Sequence, residues 1–319
     1  MTPFLRLIRY KNLLIMAFAM CMMTFAVIHP LLQLFNLQPT FTNLDLAFLI
    51  LAVVLIAAGG YVINDYFDTA VDMVNRPDTQ IVSNVISRSS AATYHITLSI
   101  LGCIFGFMVS IRIGIWKVGF MYPIIVGLLW FYSSTYKKQF LIGNIVVSVL
   151  TGLVMVLPAL YEIPGLQNSQ NPVIQYGALD PFLLLYQCLG FAIFAFLSNF
   201  AREIIKDMED IKGDKTLNAR TLAIVLGEKG AKITVISILT ITVATLVYCY
   251  LNFLNEPITA IYFSVALIAP LIFLTYRFIK TKEKKDYHFC SIFLKFIMLL
   301  GVLYAFVIRH NFLTFKDSY

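Results

Sequence analysis

Nine times along this chain a run of about 20 mostly apolar residues recurs, the length that crosses the ~30 Å hydrocarbon layer of a bilayer. The runs lie near 13–33, 44–64, 92–111, 114–135, 140–161, 180–201, 233–254, 257–279 and 287–308. In hydrocarbon every backbone N–H and C=O must be bonded within the protein. Unbroken Leu, Ile, Val and Phe without period-two alternation then selects helices over a barrel. Composition agrees: 60% of residues are apolar and mean hydropathy is +0.82. The 24 Lys/Arg and 17 Asp/Glu are too few to coat a water-soluble globule. The expected fold is an all-α integral membrane protein, with nine transmembrane helices in one bundle. Residues 1–319 are expected to form a single domain, because no Pro/Ser-rich or low-complexity linker separates the runs. The first run follows Arg6, Arg9 and Lys11 but is too long for a signal peptide and closes on no cleavage site, so it reads as a mature helix.

Charge orients the bundle. With alternate loops assigned to opposite faces, the N-terminus and the loops at 65–91, 136–139, 202–232 and 277–286 hold 19 of the 24 Lys/Arg. The positive-inside rule places that face, and the N-terminus, in the cytoplasm of a cell (inner) membrane. Topology thus accounts for most of the +7 net charge, and no nucleic-acid partner is implied. No segment calls for an obligate protein partner. The five cysteines (Cys21, Cys103, Cys188, Cys249, Cys290) sit in or beside apolar runs without C-x-x-C spacing, so they read as small hydrophobes rather than as a disulfide framework or zinc site.

Acids are not needed for topology, yet ten of the 17 fall in two loops on the same face. The first segment carries Asn64, Asp68 and Asp72 at i, i+4, i+8, one stripe of oxygen donors if the second helix runs past Tyr61. Like charges at this spacing repel unless something positive occupies the stripe. The second carries Asp207, Asp210 and Asp214 at i, i+3, i+7, again one helical face, with Lys206 a turn before Asp210. Two such stripes facing one cavity suit Mg²⁺, which prefers carboxylate and phosphate oxygens to an all-protein cage, and a diphosphate is the natural third party.

These residues resemble a known family. Asn64-Asp-x-x-Asp68-x-x-x-Asp72 and Lys206-Asp207-x-x-Asp210-x-x-Gly213-Asp214 look like the paired aspartate motifs of the UbiA superfamily of nine-helix intramembrane prenyltransferases. Arg9-x-x-Asn12, Tyr132, Lys137-Lys138 and Gly143-Asn144 extend the likeness over almost the whole chain. The run from Arg202 and Glu203 to Asp214, with Asn75-Arg76-Pro77, is most similar to the digeranylgeranylglyceryl phosphate synthase-like branch. The chain departs from that branch at Thr79, where a basic residue is usual, and at Asn84, where glycine is usual.

The resemblance implies Mg²⁺-dependent transfer of a prenyl group, in this branch geranylgeranyl, from its diphosphate to a lipid acceptor such as geranylgeranylglyceryl phosphate. Asn64, Asp68, Asp72, Asp207, Asp210 and Asp214 would hold the metal. Asp68, Asp72, Asp207, Asp210 and Lys206 would carry the chemistry, and Arg76, with Lys206, would bind diphosphate oxygens. Asn12, Tyr132, Lys137, Lys138 and Arg202 would contact substrate, with Tyr132 and Phe131 candidates to shield an allyl cation. Prenylation of an aromatic acceptor by the same mechanism stays open. So do a transporter, which would place its ionisable residues nearer the bilayer midplane, and a non-catalytic polyprenyl-phosphate binder.

Overall fold

The computed structural model describes residues 2–75, 80–216 and 219–317. Among them eight helices are long and apolar enough to cross a membrane. They are α1 (Tyr10–Leu34), α2 (Asn43–Phe67), α4 (Arg88–Arg112), α6 (Ile142–Gln167), α7 (Phe182–Glu209), α9 (Gly227–Phe253), α10 (Pro257–Ile279) and α11 (Lys284–Phe315). Among the shorter helices between them are α3 (Thr69–Asn75), α5 (Met121–Ser134) and α8 (Ile211–Thr216). The helical membrane class holds, with a correction to the count of nine. The run at 114–135 opens as a 3₁₀ segment, Trp116–Phe120, and only then becomes α5. At 14 residues α5 rises about 21 Å, short of the hydrocarbon thickness.

Local chemistry sets the helix ends. Thr42 and Asp45 form a reciprocal capping box that starts α2. Asp45 also accepts from Arg112 Nε at 2.5 Å, tying the first turn of α2 to the last turn of α4. Proline widens two helices from within. Met23–Ile28 of α1 and Phe263–Ile268 of α10 are π-helical, and Pro30 and Pro270 follow directly beyond them. A proline lacks the N–H its i−4 carbonyl expects and crowds that carbonyl, which local widening relieves.

Two large apolar clusters hold most of the helices together. One joins α1 and α6 to α7, α9, α10 and α11, through residues such as Met23, Ile204, Leu271 and Leu294. The other joins α2, α4 and α5 to α6 around Leu49, Val109 and Tyr122. Where α4 crosses α2, Gly102 lies so close to Ile56 and the Ala52 carbonyl that a Cβ there would stand 2.6 Å from Ile56 Cγ1. Small residues at such crossings let helix backbones approach in lipid, where apolar side chains alone give little drive to associate.

Candidate active site

Both acidic segments emerge at the same end of the bundle, and α3 packs directly against α8. The two segments are also built alike. Each long helix stops one residue before a motif aspartate: α2 ends at Phe67 and α7 at Glu209, leaving Asp68 and Asp210 as the junctions to α3 and α8. The helical hydrogen bonds carry across both junctions. Asp68 N donates to the Asn64 carbonyl and Asp210 N to the Lys206 carbonyl, each at 2.9 Å, and Asp72 N and Asp214 N then bond Asp68 and Asp210. The expected unbroken stripes are therefore bent at their middle aspartates. The short helices that follow the two junctions, α3 and α8, pack against each other.

Above this junction lies a cavity of about 390 Å³, reached from the polar end and walled deeper down by apolar side chains such as Ile125, Leu150, Phe191 and Met298. Asn12, Asn64, Asp68, Asp72, Tyr132, Lys137, Arg202, Lys206 and Asp210, all expected from the sequence, line it. Three others stand back from the wall. Asp207 accepts from Asn144 Nδ2 at 2.9 Å, Asp214 lies on α8, and exposed Lys138 accepts Arg220 N at its carbonyl. Phe131 is half-exposed and stacks on Tyr136, so it is not a shield for the cavity. Arg76 and Thr79 lie outside the described residues; Asn84 sits in an exposed turn.

Ion pairs organise the charges. Buried Asp68 takes the Lys137 ammonium and the Asn64 amide on the same oxygen, Oδ2, the amide at 2.8 Å. Burial disfavours the Lys137 charge, yet Asp68 overcomes that and holds its pKa above the ordinary lysine range. Buried Glu203 bridges Arg202 Nη1 at 2.9 Å and Lys206 Nζ at 3.0 Å, keeping both cations at the cavity wall. Arg9, left-handed at φ 50° at the start of α1, pairs with Asp65 at 2.9 Å and lies over the Tyr61 ring. Burial opposes its charge, but Asp65 and Tyr61 raise its pKa.

Sequence reasoning left out Glu203 and Asn144 as site residues, although both stood within the quoted motifs, and missed Lys295. The signal for Lys295 was a lysine inside an apolar run, which is costly unless it serves the bundle interior.

A divalent cation fits these donors. The side chain of Asn64 is buried, its Oδ1 has no hydrogen-bond partner among the described residues, and the same cavity is lined by the carboxylates of Asp68, Asp72 and Asp210, oxygen ligands of the kind a hard cation takes. Among the described residues no three carboxylate, His or Cys side chains already form a cage. Mg²⁺ needs no such cage, because it takes part of its shell from water and phosphate oxygens.

Residues 22–300 match the model of the UbiA prenyltransferase family. The chain is 30% identical over 311 residues to digeranylgeranylglyceryl phosphate synthase of Methanosphaera stadtmanae, covering 96% of this chain and 97% of that one. It is 32% identical to the enzyme of that name from Methanobrevibacter smithii, over 83% and 87% of the two chains. A solved structure concerned with digeranylgeranylglyceryl phosphate synthase in membranes superposes with a TM-score of 0.66 at 24% identity, over 97% and 98%. A UbiA homologue from Archaeoglobus fulgidus bound to DMAPP and Mg²⁺ superposes at 0.58 and 17% identity, over 97% and 99%. The fold, the family model and relatives at this identity over nearly the full length agree: the chain belongs to the UbiA prenyltransferase family and is a membrane prenyltransferase.

Proposed function

We propose that this enzyme transfers a geranylgeranyl group from its diphosphate to geranylgeranylglyceryl phosphate, with Mg²⁺ as cofactor, in one prenyltransferase domain spanning residues 1–319. The observation that carries the reading is the packing of α3 on α8, which brings two bent acidic helix ends to the mouth of one apolar cavity. The names of the relatives support the lipid acceptor, and family membership sets transport and passive binding aside. By the charge of its loops, the polar end faces the cytoplasm.

Asn64, Asp68, Asp72, Asp207, Asp210 and Asp214 would hold Mg²⁺, which when bound neutralises charge on the departing diphosphate. Asn144 orients Asp207, and Asn64 orients Asp68. Lys206 and Arg202, held by Glu203, bind diphosphate oxygens, Lys206 as a point charge and Arg202 as a planar fork. Arg76, outside the described residues, keeps its proposed part in the same task, and Lys138 adds positive charge near Asp214. In the reaction the allylic C–O bond breaks with its electron pair on the diphosphate. The glyceryl hydroxyl oxygen forms the new C–O bond, and its proton passes to solvent at the cavity mouth. Tyr132 and the apolar walls keep water from the allylic carbon while it is electron-poor.

The test is turnover of the purified protein with Mg²⁺ and labelled geranylgeranyl diphosphate, offered geranylgeranylglyceryl phosphate, homogentisate or a naphthoate. The expected product is the digeranylgeranyl lipid with diphosphate release, lost in Asp68→Ala and Asp207→Ala. Transfer to the aromatic acids alone would replace the lipid reading.

A further inference from the structure

Lys295 sits 11 residues into α11, about 16 Å of helix from Lys284. It is half-buried and lines the cavity. A lysine so placed needs a counter-charge. The other cations on this cavity each have one: Arg9 has Asp65, Lys137 has Asp68, and Arg202 and Lys206 share Glu203. Among the described residues Lys295 has no carboxylate partner. Its ammonium donates to the neutral Oδ1 of Asn12, whose Nδ2 in turn donates to the Tyr61 hydroxyl at 3.2 Å. Arg202, Lys11, Arg9 and Lys206, all of its own sign, repel its charge. Lys295 of α11 and Asn12 of α1 thus meet on a part of the cavity wall where the Lys295 ammonium, among the described residues, has no carboxylate to pair with.

The geometry points to a second anion subsite on that wall, in which Lys295, with Asn12 and Arg9, takes the phosphate monoester of the lipid acceptor. This rests on the reading of the acceptor as a glycerophosphate lipid. The two substrates bring two phosphate-bearing heads into one cavity, and these repel strongly if they share one patch of charge. The donor's diphosphate is claimed by the acidic segments through metal and by the cations on Glu203. A monoester near charge −2 then needs its own partner, and the site supplies an ammonium without a carboxylate beside a guanidinium already fixed in place. The same wall, being part of the cavity, keeps the acceptor's apolar tail in the membrane-embedded chamber.

The experiment measures KM for each substrate separately in wild type, Lys295→Met and Lys295→Arg, with folding checked by the thermal midpoint in detergent. Lys295→Met is expected to raise KM for geranylgeranylglyceryl phosphate by about 10- to 100-fold, the value of a charge-assisted contact, with KM for geranylgeranyl diphosphate unchanged. Lys295→Arg is expected to restore most of the affinity. In wild type, glycerol 1-phosphate is expected to compete with the acceptor and not with the donor, a measurement that stands even if Lys295→Met does not fold. A rise in donor KM instead, an unchanged acceptor KM in a folded variant, or competition of glycerol 1-phosphate with the donor overturns the subsite. If wild type does not prenylate the lipid at all, the acceptor reading itself fails, a separate result.

Discussion

Burial pushes the Asp214 carboxyl up to about 6; Lys137 pulls against that, and Asp210 and Asp68 push further. Below that pH the carboxyl is neutral and a poor ligand, because a proton and a cation compete for the same oxygens. The Mg²⁺ concentration for half-maximal activity is therefore expected to rise as pH falls from about 7.5 to 5.5. In Asp214→Asn it is expected to be higher throughout and flatter over that window. Magnesium titrations at several pH values check this, and a flat wild-type profile would remove Asp214 from the metal set. The acids themselves were legible as residues, because ten acids in two loops exceed what topology requires. Their partners were not. That Asp68 meets Lys137, that Asp207 meets Asn144 and that Lys295 meets Asn12 are pairings between distant elements, which no local spacing encodes.

At the scale of elements, the apolar runs located the spans well because hydrocarbon sets a length that sequence must match. They failed at 114–135, where apolar content continues through Gly119 and a 3₁₀ segment and hides a shorter helix. The i, i+4, i+8 and i, i+3, i+7 spacings likewise concealed the breaks at Asp68 and Asp210. Polar residues at a helix exit satisfy the same pattern whether the helix continues or bends. The α2–α4 crossing offers a direct check. Gly102→Leu would set a Cβ against Ile56 and the Ala52 carbonyl, where backbone cannot give way cheaply. It is expected to lower stability by about 2 kcal/mol, read as a drop in thermal midpoint. It should also reduce activity, since α2 carries Asn64 and leads into Asp68.

Across the whole molecule the two ends have different tasks. The end away from the acids is fastened by Glu162, only 1% exposed, which accepts from Thr40 N at 2.6 Å, Thr40 Oγ1 at 2.7 Å and Phe41 N at 3.2 Å. Glu162→Ala strands those donors and is expected to cost about 3 kcal/mol of stability. Its kcat at permissive temperature should stay near wild type, because the change is remote from the reacting end. At the other end, convergence of the two acidic segments is the claim on which the enzyme's mechanism depends. Its most direct test is a double-mutant cycle on Mg²⁺-dependent binding of a non-reactive geranylgeranyl thiodiphosphate, using Asp68→Ala, Asp207→Ala and the pair. If both segments grip one metal–diphosphate head, each single change abolishes most of the binding and the double change adds little more. Losses that simply multiply, or a single variant that binds like wild type, would contradict it.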